Sequence, residues 1–387
     1  MTKPSKKLRI LLSTNAPFAS SGYAQQAQDL APAIRDLGYP IAVNCFYGLE
    51  GGKIMLDGIM MYPKLGDVWG SDGLISHGKD FNADIVITLQ DIWVLDPNNM
   101  KQVKRWIPIL PVDHDPIPPM VLDKSKMAYR VVTYSQFGFN QMKNKGIHTT
   151  YIPHTVNTEV YKPYPKEEMK KMMGIDPDTF LFGMVAANKD MPPRKGFQEA
   201  MDAFKMFHDK HPNSKLYMHV FTDHPGGFPI NQYAQALGIS DSIIKIDPYQ
   251  QLMNTSKDRM AQIYSAMDCL LAPSRNEGFG VPIIEAQSCG VPVITTAWTA
   301  MTELVQEGKT GYACEPIRKE FTPLLSYAAV PDANKVYESM EKIFDADRKK
   351  MAKDCRTFIV KNYDFKTVFN NKWVPFLEKV EKEVYRS

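Results

Sequence analysis

Short apolar runs alternate along the chain with stretches whose apolar positions recur every three or four residues. Runs of strand length fall at residues 8–13, 41–46, 84–89, 106–112, 130–135, 151–154, 180–186, 216–221, 243–246, 268–272 and 291–295. Helical periodicity or helix-forming composition fills 24–37, 138–145, 197–210, 231–237, 260–267 and 281–288, starts again at 302–305, and continues through the tail at 337–384. Strands alternating with helices predict an α/β protein built on parallel sheets. A glycine-rich stretch at 48–58 leads into a hairpin-like segment through Tyr62, and Pro108 and Pro111 place the 106–112 strand near an edge or distort it.

The densest local signal lies at residues 272–295, A-P-S-R-N-E-G-F-G-V-P-I-I-E-A-Q-S-C-G-V-P-V-I-T. A strand stops at Pro273, and Gly278 and Gly280 then flank Phe279, giving backbone conformations that let a ligand approach its N–H groups. Pro282 suits the first turn of a helix, and Gly290 its C-terminal cap. A helix start preceded by free amides is an anion site, and two carboxylates, Glu277 in the loop and Glu285 in the helix, are acceptors for sugar hydroxyls. This layout suits a nucleotide sugar. The plainer alternative makes Glu277 a solvated loop charge and Glu285 a residue that favours a helix start.

The whole string resembles the Glu-x7-Glu signature of retaining glycosyltransferases of family 4, bacterial and phage members among them. That resemblance implies the GT-B fold: two Rossmann-like α/β domains with parallel sheets facing across a cleft, and a C-terminal helix crossing back to the first domain. It implies that Glu277 and the amides of Gly278, Phe279, Gly280 and Val281 meet the donor sugar and phosphate, and that Glu285 holds the ribose. Residues 1–160, with a final helix at about 363–387, are then the acceptor domain, and residues 161–362 the nucleotide-sugar donor domain.

Other candidates stand at strand ends, where ligands of open α/β sheets collect. After the first strand, Ser20-Ser21-Gly22-Tyr23 leads into a helix without a dinucleotide fingerprint. The resemblance puts Gly22 and Tyr23 by the donor phosphates, and a serine N-cap is the structural alternative. Asp113-His114-Asp115 follows the 106–112 strand, and His114 matches the histidine that the family sets beside the donor sugar. The same tripeptide spells the Asp-x-Asp motif that could hold a divalent ion, as does Asp345-Ala346-Asp347 in the charged tail. Beyond the 180–186 strand, Asn188, Lys189, Arg194 and Lys195 supply polar and cationic groups able to neutralise a departing diphosphate. Lys195, preceding Gly196, matches the family lysine. The upstream arginine is absent and leaves its role to Lys189 or Arg194, while Thr155 and Asn157 replace the glycine and aspartate of the segment entering the linker.

Composition narrows the picture without redirecting it. With 387 residues, 44% hydrophobic and 23% charged, the chain has room for two globular domains. A formal charge of +3 does not by itself indicate nucleic acid. The five cysteines, Cys45, Cys269, Cys289, Cys314 and Cys355, form no Cys-x-x-Cys pair and read as reduced packing residues. The basic start, residues 1–9, precedes an apolar run too short for a signal peptide or membrane span, so a cytoplasmic protein is expected.

The function expected is metal-independent, retaining transfer of a hexose or related sugar from a nucleotide diphosphate donor, UDP favoured, to an acceptor hydroxyl, with no other cofactor. Lys195, Arg194, Glu277 and His114 are the expected catalytic set. The acceptor is open: a glycan, a lipid-linked glycan, a small molecule, or hydroxymethylated DNA met by Lys101, Lys104, Arg105, Lys124, Lys126, Arg130, Lys143 and Lys145. The same basic residues would suit peripheral contact with anionic lipid. A metal-dependent transferase using Asp113 and Asp115, and a nucleotide-sugar-binding protein without turnover, are the alternatives.

Overall fold

The apolar runs become the strands of two separate sheets in a computed structural model that describes residues 7–222, 224–252 and 255–386. Most of the basic opening stretch, residues 1–6, lies outside the described residues. The chain divides into two compact units: the first takes the residues up to Val112, Pro116–His154 and those from Val368 onward, the second Asp113–Asp115 and Thr155–Thr367.

In the first unit the strands are β1 (Ile10–Asn15), β2 (Ile41–Tyr47), β3 (Ile54–Leu56), β4 (Ile59–Tyr62), β5 (Ile85–Leu89), β6 (Trp106–Leu110), β7 (Val131–Thr133) and β8 (Thr149–Tyr151), in the order β3-β4-β2-β1-β5-β6-β7-β8. Only the β3–β4 hairpin is antiparallel. Of the two outcomes expected from the prolines, an edge position or a distorted strand, the edge position is not found, because β6 lies between β5 and β7. Its pairing with β7 covers only Ile109 and Leu110, after Pro108, so the missing N–H falls where that ladder has not begun. The helix Val374–Arg386 belongs to this unit, tied by Arg130 to Glu383 and by the Tyr385 hydroxyl to Asp84 Oδ2 at 2.9 Å.

In the second unit β9 (Phe180–Val185), β10 (Ser214–His219), β11 (Ile243–Lys245), β12 (Cys269–Ala272), β13 (Val293–Thr296) and β14 (Gly311–Cys314) are all parallel, in the order β11-β10-β9-β12-β13-β14. Numbered from β9, this is the 3-2-1-4-5-6 order of the Rossmann fold, in which the chain reverses direction across the sheet between β9 and β12. Phe180, Phe182, Phe204 and Phe207 lead its core, with the helix Phe197–Lys210 laid on the sheet. Lys170 is buried too, with its ammonium held by Asp268 at 2.7 Å and by two backbone carbonyls, so the Lys-rich helix Lys166–Met172 is anchored by charge compensation.

Two elements differ from expectation. The helix expected at 302–305 is a single 3-10 turn, Thr299–Glu303. Thr299 sits at φ +49°, and Gln287 Nε2 takes the Leu304 carbonyl at 2.7 Å, leaving it no turn to continue. A hairpin of β15 (Arg318–Phe321) and β16 (Tyr327–Val330) stands where no strand was anticipated. Asp345 and Asp347 end one helix and cap the next, with Asp347 accepting from Lys350 N. All five cysteines are free and buried.

Phe182 is fully buried, with the rings of Phe180 and Phe207 both 4.9 Å from its own. Phe182→Ala is expected to cost about 3–5 kcal/mol of stability in the second unit, read from chemical denaturation.

Candidate functional site

The ends of β9 and β12 flank the switch point, where a ligand meets loops diverging to either side. Their two loops are pressed together. Gly196, at φ +66°, approaches so closely that a Cβ there would lie 2.0 Å from the Pro273 carbonyl oxygen. Arg275 N donates to Arg194 O at 2.8 Å, fixing one loop on the other.

That apposition gathers the predicted charges. The Glu277 carboxylate is 13% exposed and pairs with the Lys195 ammonium; Arg194 Nη1 lies 3.4 Å from its other oxygen and donates to the Asn276 carbonyl at 2.8 Å. The Ser274 hydroxyl donates to Glu277 Oε1 at 2.8 Å, and Thr299 Oγ1 to the Glu277 carbonyl at 2.9 Å. Burial alone would raise the Glu277 pKa, but Lys195 and then Arg194 pull it down to about 2. Burial, followed by the Arg194 charge, pushes Lys195 below the ordinary lysine value despite Glu277. Burial also works against the Arg194 charge, yet Glu277, Asp113 and Asp190 hold its pKa above the usual arginine value. The result is a compact dication with one carboxylate, suited to a ligand that brings further negative charge.

Beside this cluster the helix Val281–Ser288 begins at Gly280, whose φ of +111° turns the chain into it. Among the described residues, the amides of Gly278, Gly280 and Val281 donate to no internal acceptor, as a helix start leaves them. Phe279 offers only its backbone to this region, because its ring is 3% exposed and packs edge-on against Tyr363. Glu285, one turn in, is 5% exposed and accepts from the Tyr264 hydroxyl at 2.8 Å.

Asp113–Asp115 cluster with the second unit, although the sequence reading grouped His114 with the first domain. The reason is local bonding. Asp115 exchanges backbone bonds with Tyr327, at 3.3 and 3.4 Å, and Asn276 Nδ2 donates to Asp113 Oδ2 at 3.1 Å. His114 Nδ1 meets Asp113 Oδ1 at 2.7 Å, which places the proton on Nδ1 when the ring is neutral and turns Nε2 into an acceptor. His114, Asn276, Glu277, Lys195 and Arg194 thus form one chain of contacts.

The remaining candidates fall elsewhere. Asn188 is 2% exposed and its amide is spent on structure: Nδ2 donates to the Phe221 and Phe228 carbonyls, and Oδ1 accepts from Phe228 N. Lys189 is exposed and has no ion-pair partner among the described residues. Gly22 and Tyr23 lie in the first unit. Ser21 caps the helix Gly22–Asp36, accepting from Ala24 N, and the Tyr23 hydroxyl donates to Asp91 Oδ2 at 3.2 Å. Sequence reasoning missed Asn276, Ser274, Thr299 and Tyr264. Asn276 and Ser274 were readable as neighbours of Glu277, whereas Thr299 and Tyr264 arrive from other elements.

Two Rossmann-like α/β units of this kind define the GT-B fold. It is shared with sucrose-phosphate synthase from Thermosynechococcus elongatus, at TM-score 0.77 and 15% identity over 97% of this chain and 99% of that one. Anabaena HepE in complex with UDP-glucose matches at TM-score 0.70 and 16% identity, over 96% and 100% of the two chains. Within the fold, residues 165–321 match the family model "Glycosyl transferases group 1". Similar curated proteins include D-inositol 3-phosphate glycosyltransferase of Actinosynnema mirum, 26% identical over 161 residues, 41% of this chain and 38% of that one. N-acetyl-alpha-D-glucosaminyl L-malate synthase of Bacillus anthracis is 28% identical over 172 residues, 44% and 41% of the two chains. The chain spans under half the length of these relatives. No helix of the described residues is long and apolar enough to cross a membrane.

The depressed Glu277 pKa gives a pH signature. Its contribution to stability is complete above about 4.5, the ordinary value, and is lost as pH falls toward about 2, its folded value. Acid titration of stability is expected to show up to ~1.4 kcal/mol per pH unit more slope in this window for the native chain than for Glu277→Gln.

Proposed function

We propose that the chain is a glycosyltransferase that moves a hexose or related sugar from a nucleotide diphosphate sugar, a UDP-sugar by preference, to an acceptor hydroxyl with retention and without a metal. The observation that carries this reading is the Lys195–Arg194–Glu277 cluster set against the unspent amides of Gly278, Gly280 and Val281 at the switch point. The match of residues 165–321 to group 1 glycosyltransferases and the UDP-glucose in the HepE complex support it.

In the reaction, the bond from the sugar's anomeric carbon to the β-phosphate oxygen breaks, and a bond from that carbon to the acceptor oxygen forms. Charge builds on the leaving diphosphate. Lys195, Arg194 and the loop amides stabilise it there, already oriented before the bond breaks. The acceptor proton passes to the leaving phosphate oxygen, so no enzymatic base is required. Glu277 and His114 hold the sugar hydroxyls, His114 through the ring nitrogen not paired with Asp113, and Glu285 holds the ribose. Asp113 is committed to His114 and Asn276, which favours the metal-free form over an Asp113/Asp115 metal site.

DNA as acceptor draws less support than a small molecule or glycan. Of the basic residues that could meet phosphates, Arg130 is paired with Glu383, Lys126 with Asp123, and Lys124 is turned onto the Trp93 and Leu95 carbonyls.

A screen of nucleotide sugars for nucleotide release and transfer is expected to find a donor whose turnover falls about 10²–10³-fold in Lys195→Ala. Glu277→Gln is expected to fall by about as much. NMR of the product should show the donor's anomeric configuration, and EDTA should leave the rate unchanged. Native rates in both variants would refute the assignment.

A further inference from the structure

The hairpin β15–β16 bonds to both parts of the candidate site. Through Tyr327 it pairs with Asp115, the neighbour of His114. Two residues on, Ala329 N donates to the Arg275 carbonyl at 3.0 Å, on the loop that carries Glu277. A side-chain contact runs parallel to this one: Glu320 Oε2 accepts from Arg275 Nη1 at 2.9 Å. The other end of the same guanidinium meets Glu199 Oε1 at 3.1 Å, on the helix that starts two residues after Lys195.

Arg275 therefore fastens three pieces of backbone: the hairpin, the Glu277 loop and the helix following Lys195. Its side chain is 15% exposed, and removing it would leave the carboxylate of Glu199, 11% exposed, without its cation, while Glu320 would keep Arg318. Arg275 Nε and Glu199 Oε2 are buried without partners among the described residues, so the Glu199 arm rests on the single 3.1 Å contact, while the hairpin arm combines the Glu320 contact with the Ala329 backbone bond. The match to the family model ends at residue 321, the last of β15, so β16 and its bond to Asp115 lie beyond the matched segment.

We propose that Arg275, braced by Glu320 of the hairpin and by Glu199, is a positioning residue that holds the Glu277 loop and the His114 segment in one fixed register. It touches no reacting atom. Its effect is transmitted through Asn276 and Glu277, the next two residues, and through the hairpin to Asp115. The proposal rests on the glycosyltransferase reading. A loop displaced by about 1 Å would keep its bonds to donor while losing the alignment needed to stabilise the leaving group.

The test compares the native chain with Glu320→Gln, Arg275→Lys and Arg275→Met in three measurements: kcat and KM with the fastest donor of the screen, thermal unfolding, and hydrogen–deuterium exchange over 113–115 and 274–280. Glu320→Gln weakens the hairpin arm at a half-exposed residue and is expected to keep the native unfolding temperature. Its kcat should fall about ten-fold and that of Arg275→Met about a hundred-fold, with KM within about two-fold of native and Arg275→Lys intermediate. Exchange should quicken in both segments. Native kcat in Glu320→Gln and Arg275→Met, or unchanged exchange in those segments, overturns the proposal. Should the native chain turn over no donor, the glycosyltransferase reading falls by itself, and exchange alone then decides whether Arg275 braces the two segments.

Discussion

A carboxylate cannot be taken out of water uncompensated, and the second unit is built around that requirement at Glu277. Lys195 and Arg194 supply the opposing charge, Ser274 a hydroxyl donor, and Thr299 ties down the carbonyl of the same residue. The partners come from three places in the chain, so the loops after β9 and β12 and the turn after β13 must all be correctly formed for the group to stay ionised. The close contact of Gly196 with Pro273 is part of the same constraint, because any side chain there would hold the two loops apart. A phosphate placed beside Lys195 and Arg194 would compete with Glu277 for the same cations. Binding such a ligand and loosening the internal pair are two sides of one exchange.

The fold makes this arrangement possible by reversing strand order between β9 and β12. Loops leaving two adjacent parallel strands in opposite senses open a gap that neither strand closes. The helix Val281–Ser288 aims its unspent amides at the same place, so backbone dipoles and side-chain cations reinforce each other. His114 adds a hydrogen-bonding group at the margin. Its orientation is set by Asp113, which is itself set by Asn276, the residue before Glu277.

Much of this was legible because it is local. The 272–295 string carries its strand, turn, cap and helix within one continuous segment, and glycines at turning points leave a chemical trace. The strand and helix runs translated into sheets for the same reason. What could not be read came from contacts remote in sequence. Tyr264 orients Glu285 from a different helix, and nothing in the residues around it distinguishes it from a packing tyrosine. Asn188 sits beside the cationic loop in sequence, yet folds inward to hold the Phe228 turn. The hairpin β15–β16 has four-residue strands, three charged residues in its first strand and no glycine in its turn, so it lacks the usual hairpin signals. β6 was expected near an edge or distorted because its prolines were weighed without knowledge of which residues its neighbour would pair.

The first unit is closed by the helix Val374–Arg386, whose Glu381 and Tyr385 reach back to Lys7 and whose Glu383 takes Arg130, while the second unit is nearly continuous from Thr155 to Thr367. A ribosome delivers these residues in order. The second unit can therefore complete its sheet while the first still lacks this helix, and the surface against which Leu377 and Val380 become buried stays open to water until the helix has been made. In this chain the half made first is finished last, and the risk of aggregation during birth falls on the first unit and not on the unit that carries the charged cluster.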